Sequence, residues 1–78
     1  MTMTIKVKTE SGAEYIFSQE NEKTFFVRDY VTSGEVVKFH QEIELGKTMK
    51  MDFIQKDFLG DEEEMYIEST KVVEIKIF

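Results

Sequence analysis

Apolar and polar residues alternate along most of this chain with a period of two. Met3, Ile5 and Val7 are separated by polar residues, and the same alternation recurs over 37–45 and 73–77. Successive side chains of a β-strand point to opposite faces, so the pattern predicts strands with one buried face and one solvated face. No segment of a dozen residues keeps an apolar stripe at helical spacing. We therefore expect an all-β antiparallel domain without long helices.

Turn residues divide the alternating segments into seven predicted strands, at 2–9, 13–18, 24–31, 35–45, 48–56, 64–68 and 71–78. The polar segment 18–23 and the segment 56–64, which contains Gly60, are predicted connections. The chain has no proline, a residue that often protects edge strands, so a closed arrangement is favoured. We predict that residues 1–78 form one small antiparallel barrel of five to seven strands, with the last strand paired to the first. This architecture resembles small SH3-like or OB-like barrels.

A glycine at the third position of a predicted turn sets the register of the first hairpin. Gly12 supplies the positive φ angle that a three-residue loop needs. The resulting pairing places Val7 opposite Tyr15 and Lys8 opposite Glu14. Apolar side chains then meet inside and opposite charges meet outside, as stable cross-strand pairs require.

Gly34 occupies the equivalent position in the second predicted turn. A three-residue loop there places Val27 opposite Phe39, both on the buried face. A two-residue loop would instead place Arg28 opposite Phe39, and an unpaired guanidinium is costly to bury. The three-residue loop is therefore the favoured register.

Gly46 forms a third predicted turn, which pairs Ile43 with Met51. Together with the second hairpin, this register brings aromatic, apolar and basic residues onto the outer face of three strands. The predicted binding surface consists of Phe26, Arg28, Tyr30, Lys38, His40, Ile54 and Lys56. Such a patch suits an acidic peptide, the bases of a single nucleic-acid strand or an anionic small molecule. The alternative is that the last strands, or a second copy of the chain, cover the row as a second core layer.

Composition limits the class of protein. The 78 residues carry a net charge of −6 and include no cysteine, so neither disulfides nor thiolate-bound metals are expected. The charge disfavours nucleic acid as a partner, although a local basic patch could still bind it. No segment is long and apolar enough to span a bilayer and no secretion signal is recognised, so a cytoplasmic location without membrane association is expected. A chain below about 80 residues has a small core, which makes a homo-oligomer a further alternative.

Candidate catalytic and metal-binding residues are few. His40, the only histidine, has no recognisable nucleophile to activate, so neither catalytic residues nor a cofactor are expected. The acidic run 61–64 lacks the spacing of a calcium-binding loop, so no metal site is expected. Phe58 and Leu59, beside this run, are expected to fold back as a lid on the end of the barrel. The alternative is a negatively charged docking loop with an apolar tip.

These features predict a small non-enzymatic binding module that engages another macromolecule, in the first place a protein, through an exposed sheet face. One alternative is a single-stranded nucleic-acid binder that uses the aromatic and basic patch. The other is an acidic inhibitor of an enzyme, whose carboxylates at 61–64 imitate the charge of nucleic acid.

Overall fold

The computed structural model describes residues 3–78, which form six β-strands and no helix that could cross a membrane. The strands are β1 (Met3–Thr9), β2 (Glu14–Glu20), β3 (Lys23–Arg28), β4 (Thr32–Phe39), β5 (Thr48–Lys56) and β6 (Glu62–Ile77). Each strand pairs antiparallel with the next along the chain, and β6 also pairs with β1. The strands thereby close a hydrogen-bonded ring. The predicted all-β antiparallel domain, with its last strand paired to its first, is confirmed; Thr2, the predicted start of the first strand, lies outside the described residues.

The first hairpin has the predicted register. Val7 pairs with Tyr15 and Lys8 pairs with Glu14, and both Val7 and Tyr15 are buried. Gly12 has a φ angle of +92°, and its amide donates a hydrogen bond of 2.9 Å to the carbonyl of Thr9. The local alternation and the turn glycine agree here, which explains why sequence reasoning was sufficient.

The predicted connection at 18–23 is mostly strand. β2 continues to Glu20 and β3 starts at Lys23, so only Asn21 and Glu22 remain in the turn. Both turn residues have positive φ angles, 51° and 66°, as a tight two-residue hairpin loop of the mirror-image type requires. Polar side chains in 18–23 are compatible with a strand because its outer face is solvated.

The register of the second hairpin differs from the prediction. The turn comprises residues 29–31, in which Asp29 and Tyr30 have φ angles of 50° and 61°, and β4 already contains Gly34. Gly34 pairs with Phe26 on the adjacent strand, and Val27 pairs with Ser33. The predicted pairing of Val27 with Phe39 is therefore wrong.

Close packing, rather than a turn, explains the glycine at position 34. A Cβ atom there would lie 2.7 Å from the carbonyl oxygen of Ile54 and 2.8 Å from Cδ2 of Phe53. Both distances are shorter than a van der Waals contact, so only glycine fits without a shift of the backbone. Gly34 thus leaves room inside the ring for Phe26 and Phe53, whose ring centroids are 4.8 Å apart.

The third predicted turn is part of a longer connection. β4 ends at Phe39, which pairs with Met51, so the predicted partner of Met51, Ile43, lies in the loop 40–47 instead. A β-bulge between Val36 and Lys38 shifts the register of this strand pair. Gly46 does have a positive φ angle, but its amide donates to the carbonyl of Val72 on β6.

The two last predicted strands form one continuous strand. β6 pairs with β5 up to Lys71 and with β1 from Val72 onward, so it takes part in both sides of the ring. Near Lys71, where β6 changes its neighbour from β5 to β1, two side-chain hydroxyl groups take the place of backbone hydrogen-bond acceptors. Ser69 Oγ accepts a hydrogen bond from the amide of Met49, and Thr70 Oγ1 accepts one from the amide of Ser11. These bonds satisfy backbone donors where the strand pairing shifts.

The core lies inside the ring and consists of apolar side chains from all strands except β4. Its buried members are Val7, Tyr15, Phe17, Phe26, Met49, Met51, Phe53 and Val72. β4 contributes the half-buried Val36 and Phe39, together with the space above Gly34. The inner face is therefore filled, and any binding surface must lie on the outer face, at the ends of the ring or on the turns.

Candidate functional site

The row predicted to cross three strands does not form. Phe26, its first member, is only 1% exposed and packs inside the ring, because its partner is Gly34. His40 follows the end of β4, and its amide bonds to Lys50 rather than facing Ile54. The predicted row of Phe26, His40 and Ile54 is therefore wrong, since Phe26 points to the interior.

His40 and Lys38 lie on the outer face around Asp52. Lys38 pairs with Asp52 across β4 and β5, and His40 Nε2 lies 3.1 Å from Asp52 Oδ2. The His40 ring also meets the ring of Tyr66 edge-on, with centroids 5.6 Å apart. Sequence reasoning missed Asp52 and Tyr66, because their meeting with His40 depends on the β4–β5 and β5–β6 registers.

Arg28 and Tyr30 lie at the β3–β4 turn. An Nη2 hydrogen of Arg28 donates to Thr32 Oγ1 at 3.4 Å, which keeps the guanidinium near its own hairpin. Tyr30 is 80% exposed in the turn. Ile54 and Lys56 lie on β5, where Lys56 pairs with Glu62. The predicted site residues are therefore divided among the interior, a turn and the outer face.

A different set of apolar residues lies on the outer face of β3, β4 and β5. Phe25 and Val27 are 38% and 37% exposed, and Ile54 is half-buried next to them. The registers bring them together, because Glu35 pairs with Phe25 on one side and with Ile54 on the other. We call this depression of about 520 Å³ the outer groove; its lining includes Lys23, Phe25, Val27, Glu35, Ile54 and Lys56.

Sequence reasoning chose Phe26 for the surface where the structure has Phe25. Phe25 and Phe26 are adjacent, so the apolar–polar alternation is compatible with either of them facing the interior. Only the pairing register of β3 decides which one is buried. The clash that excludes a side chain at Gly34 makes this assignment, and it is a contact between distant segments. Ile54 and Lys56 were predicted site residues and do line the outer groove.

The charges of the outer groove are of both signs. Lys23 Nζ lies 4.0 Å from Glu35 Oε1 on the adjacent strand. Among residues 3–78, Lys56 takes part in none of the ion pairs. Within the described part of the chain, the pKa values of Glu74 and Lys47 are displaced, and both residues lie outside the groove. A hydrogen bond from Lys76 lowers the pKa of Glu74, and a hydrogen bond to Glu44 raises the pKa of Lys47.

Phe58 and Leu59 project from the β5–β6 turn. Phe58 is 95% exposed and Leu59 is 72% exposed, so the expected lid on the end of the barrel is wrong. The carboxylate of Asp57 accepts hydrogen bonds from the amides of Leu59 and Asp61, at 2.9 and 3.0 Å. An aspartate that accepts backbone hydrogen bonds in this way holds the turn in a local fold of its own. We call residues 57–64 the acidic tip.

A smaller cavity of about 140 Å³ opens at one end of the ring, against the loop 40–47. Its lining contains no titratable side chain and consists of Met3, Ile5, Phe17, Ser18, Gln19, Thr24, Phe39 and Ile43. Across the part of the chain that the structure describes, no three His, Asp or Glu side chains form a group that could hold a metal ion.

Comparison of this chain with protein-family models, with curated proteins and with solved structures finds no match.

Proposed function

We propose that this chain is a small non-enzymatic binding module that engages another protein through the outer groove. The observation that supports this most directly is the apolar floor of the groove. A closed ring buries its inner face and has no need of large apolar residues outside. Phe25, Val27 and Ile54 nevertheless lie side by side on the outer face. Contiguous apolar surface bordered by charges is typical of interaction sites.

The closed ring favours recognition by side chains. At the floor of the outer groove, Phe25, Glu35 and Ile54 each have a strand partner on both sides, so this part of the sheet offers no free edge to a strand from a partner. A partner would instead place an apolar side chain on Phe25 and Val27 and orient its polar groups toward Glu35 and Lys56. Phe25 is the expected centre of the binding energy, because aromatic residues dominate most protein interfaces.

Single-stranded nucleic acid is less well supported as the ligand. Phe26, one of the aromatic residues expected to stack on bases, is buried. Asp52 and Glu62 are the cross-strand partners of Lys38 and Lys56, so the strand register places an acidic residue opposite each of these cations. A binder of single strands needs exposed aromatic rings along a positive groove. The acidic inhibitor remains an alternative because residues 61–64 are exposed.

Substitution of Val27 tests the proposed function. Tagged wild-type protein, Val27→Asp and Val73→Asp are used for affinity purification from the native cell, and retained partners are identified by mass spectrometry. Val73 is an exposed valine on β6 outside the groove, so its variant is the matched control. We expect Val27→Asp to weaken binding of the partner at least about tenfold and Val73→Asp to leave it unchanged.

Circular dichroism of each variant first establishes that it is folded. Equal retention of every partner by both variants would contradict the outer groove as the binding site. Retention of nucleic acid alone, with a steep loss of binding as salt rises, would support the nucleic-acid alternative instead.

A further inference from the structure

The acidic tip presents two large apolar side chains to solvent. Phe58 and Leu59 are adjacent and among the most exposed apolar residues of the described chain. Exposed leucine or phenylalanine residues are common singly, whereas an adjacent pair in a turn presents a contiguous apolar surface to water. The pair has no partner inside the ring, so its apolar surface remains available to another molecule.

The backbone of the turn is already ordered by internal hydrogen bonds. Besides the two bonds to the Asp57 carboxylate, the amide of Gly60 donates to the carbonyl of Asp57 at 3.0 Å. The amide of Asp57 donates to the carbonyl of Asp61 at 3.0 Å. A partner would therefore meet a preformed turn and would have to order little of it on binding.

Carboxylates surround the apolar pair. Asp57 precedes it, and Asp61, Glu62, Glu63 and Glu64 follow within the acidic tip, whereas Lys56 is the only adjacent cation. The whole chain carries a net charge of −6. A second copy of the chain and an anionic lipid surface would both be repelled by this tip, and a cationic protein surface would be attracted.

We propose that Phe58 and Leu59 insert into an apolar pocket of another protein whose rim carries lysine and arginine. This inference rests on the proposed function in one respect, namely that the occupant of the tip is the protein bound by the outer groove. The two surfaces are continuous, because Glu62 of the tip and Lys56, which precedes the tip, both line the groove. The groove would orient the partner, and the tip would anchor it.

Photo-cross-linking identifies what the tip touches. The full chain is produced in its native cell with p-benzoylphenylalanine at position 58, and in parallel with the same residue at position 30. Tyr30 is the matched control because it is an aromatic residue, also highly exposed, in another turn. We expect a protein cross-linked from position 58 only, at an apolar segment bordered by lysine or arginine.

Measuring how tightly variants of the tip bind the purified partner then distinguishes the apolar contribution to binding from the ionic one. We expect Phe58→Ser to weaken binding at least about tenfold, as loss of an aromatic anchor does. The triple variant E62Q/E63Q/E64Q should slow association and reduce the dependence of affinity on salt, because the long-range attraction is lost. Phe58→Ser retains all charges, so its salt dependence should remain that of the wild type.

Several outcomes would overturn the inference. They are cross-links from position 58 to another copy of this chain, equal cross-linking from positions 58 and 30, no cross-link at all, or unchanged affinity of Phe58→Ser. The tip and the groove can fail separately. A partner that is lost by Val27→Asp but retained by Phe58→Ser supports the groove and refutes the tip. The reverse result supports the tip and refutes the groove.

Discussion

One small residue determines which aromatic side chain faces the interior. Gly34 has ordinary strand geometry, so a positive φ angle does not explain this glycine. It contributes to packing because it has no side chain. The space beside it is filled by Phe26 and Phe53, which meet edge-on at an angle of 81° between rings. Phe25, the neighbour of Phe26, consequently faces outward and becomes available to the outer groove. A single packing contact thus links the core to the candidate site.

We expect Gly34→Ala to destabilise the protein by about 1–3 kcal/mol, the usual cost of overpacking a filled core. The new Cβ would meet the backbone oxygen of Ile54, which cannot rotate away. Urea unfolding followed by circular dichroism measures the change. Ser33→Ala, on the outer face of the same strand, is the control and should change stability by less than about 0.5 kcal/mol. Equal unfolding midpoints for the two variants would contradict the packing role of Gly34.

At the scale of elements, the turns decide where strands begin and end. Two hairpin turns contain two consecutive residues with positive φ angles, Asn21 with Glu22 and Asp29 with Tyr30. Asparagine and aspartate tolerate this conformation, whereas glutamate and tyrosine do so with strain. Asp29 gains a compensating contact, because its carboxylate accepts a hydrogen bond of 2.9 Å from the amide of Glu14. Hydrogen bonding and strand pairing therefore hold turns that the sequence only weakly favours.

Replacement of Glu22 by glycine should relieve the strain in its turn. An Asn-Gly pair is the preferred sequence for this hairpin loop, and removal of a left-handed non-glycine residue gains about 1–2 kcal/mol. Greater freedom of glycine in the unfolded chain opposes this by roughly 0.5–1 kcal/mol. We expect a net gain of about 0.5 kcal/mol for Glu22→Gly in urea unfolding. Glu20→Gly, within β2, should lower stability, and a loss in both variants would refute the role of the turn.

At the scale of the whole molecule, closure of the ring has to stabilise a short chain without disulfides. β6 makes this closure possible, because its 16 residues are long enough to pair with β5 and then with β1. The enclosed core contains eight buried apolar residues. A single core in a chain of this length typically supplies only about 3–5 kcal/mol of net stability. Large losses at one core position should therefore threaten the whole fold.

Substitution of Met51 tests whether the small core limits the stability of the protein. Its side chain has no exposed surface, and its strand partners are Phe39 and Ile67. Met51→Ala should cost about 2–5 kcal/mol, and so leave a substantial unfolded population at 25 °C. Met51→Leu conserves most of the volume and should cost less than about 1.5 kcal/mol. Thermal unfolding by circular dichroism compares them; a wild-type midpoint for Met51→Ala would show that the core is not limiting.

The alternation of residues along the chain was sufficient to predict the class of fold. It predicted an all-β antiparallel sheet and the burial of Val7, Tyr15 and Met51, although it divided the sheet into seven strands where the structure has six between residues 3 and 78. These properties depend on the period of two in an extended chain, which each segment carries locally. The first hairpin was predictable for a similar reason, because Gly12 and the flanking alternation specify the same pairing.

The outer groove and the acidic tip could not be obtained from the same pattern. Whether Phe25 or Phe26 faces inward depends on the fit of Gly34 against Ile54, and these residues are distant in the chain. The exposure of Phe58 depends on the hydrogen-bonded β5–β6 turn, which keeps its side chain off the core. Such features arise from contacts between strands, and a periodicity within one strand carries no information about them. The amino-acid pattern thus specifies an antiparallel sheet and, where apolar and polar residues alternate strictly, its buried face, whereas packing between strands selects the residues that a partner can reach.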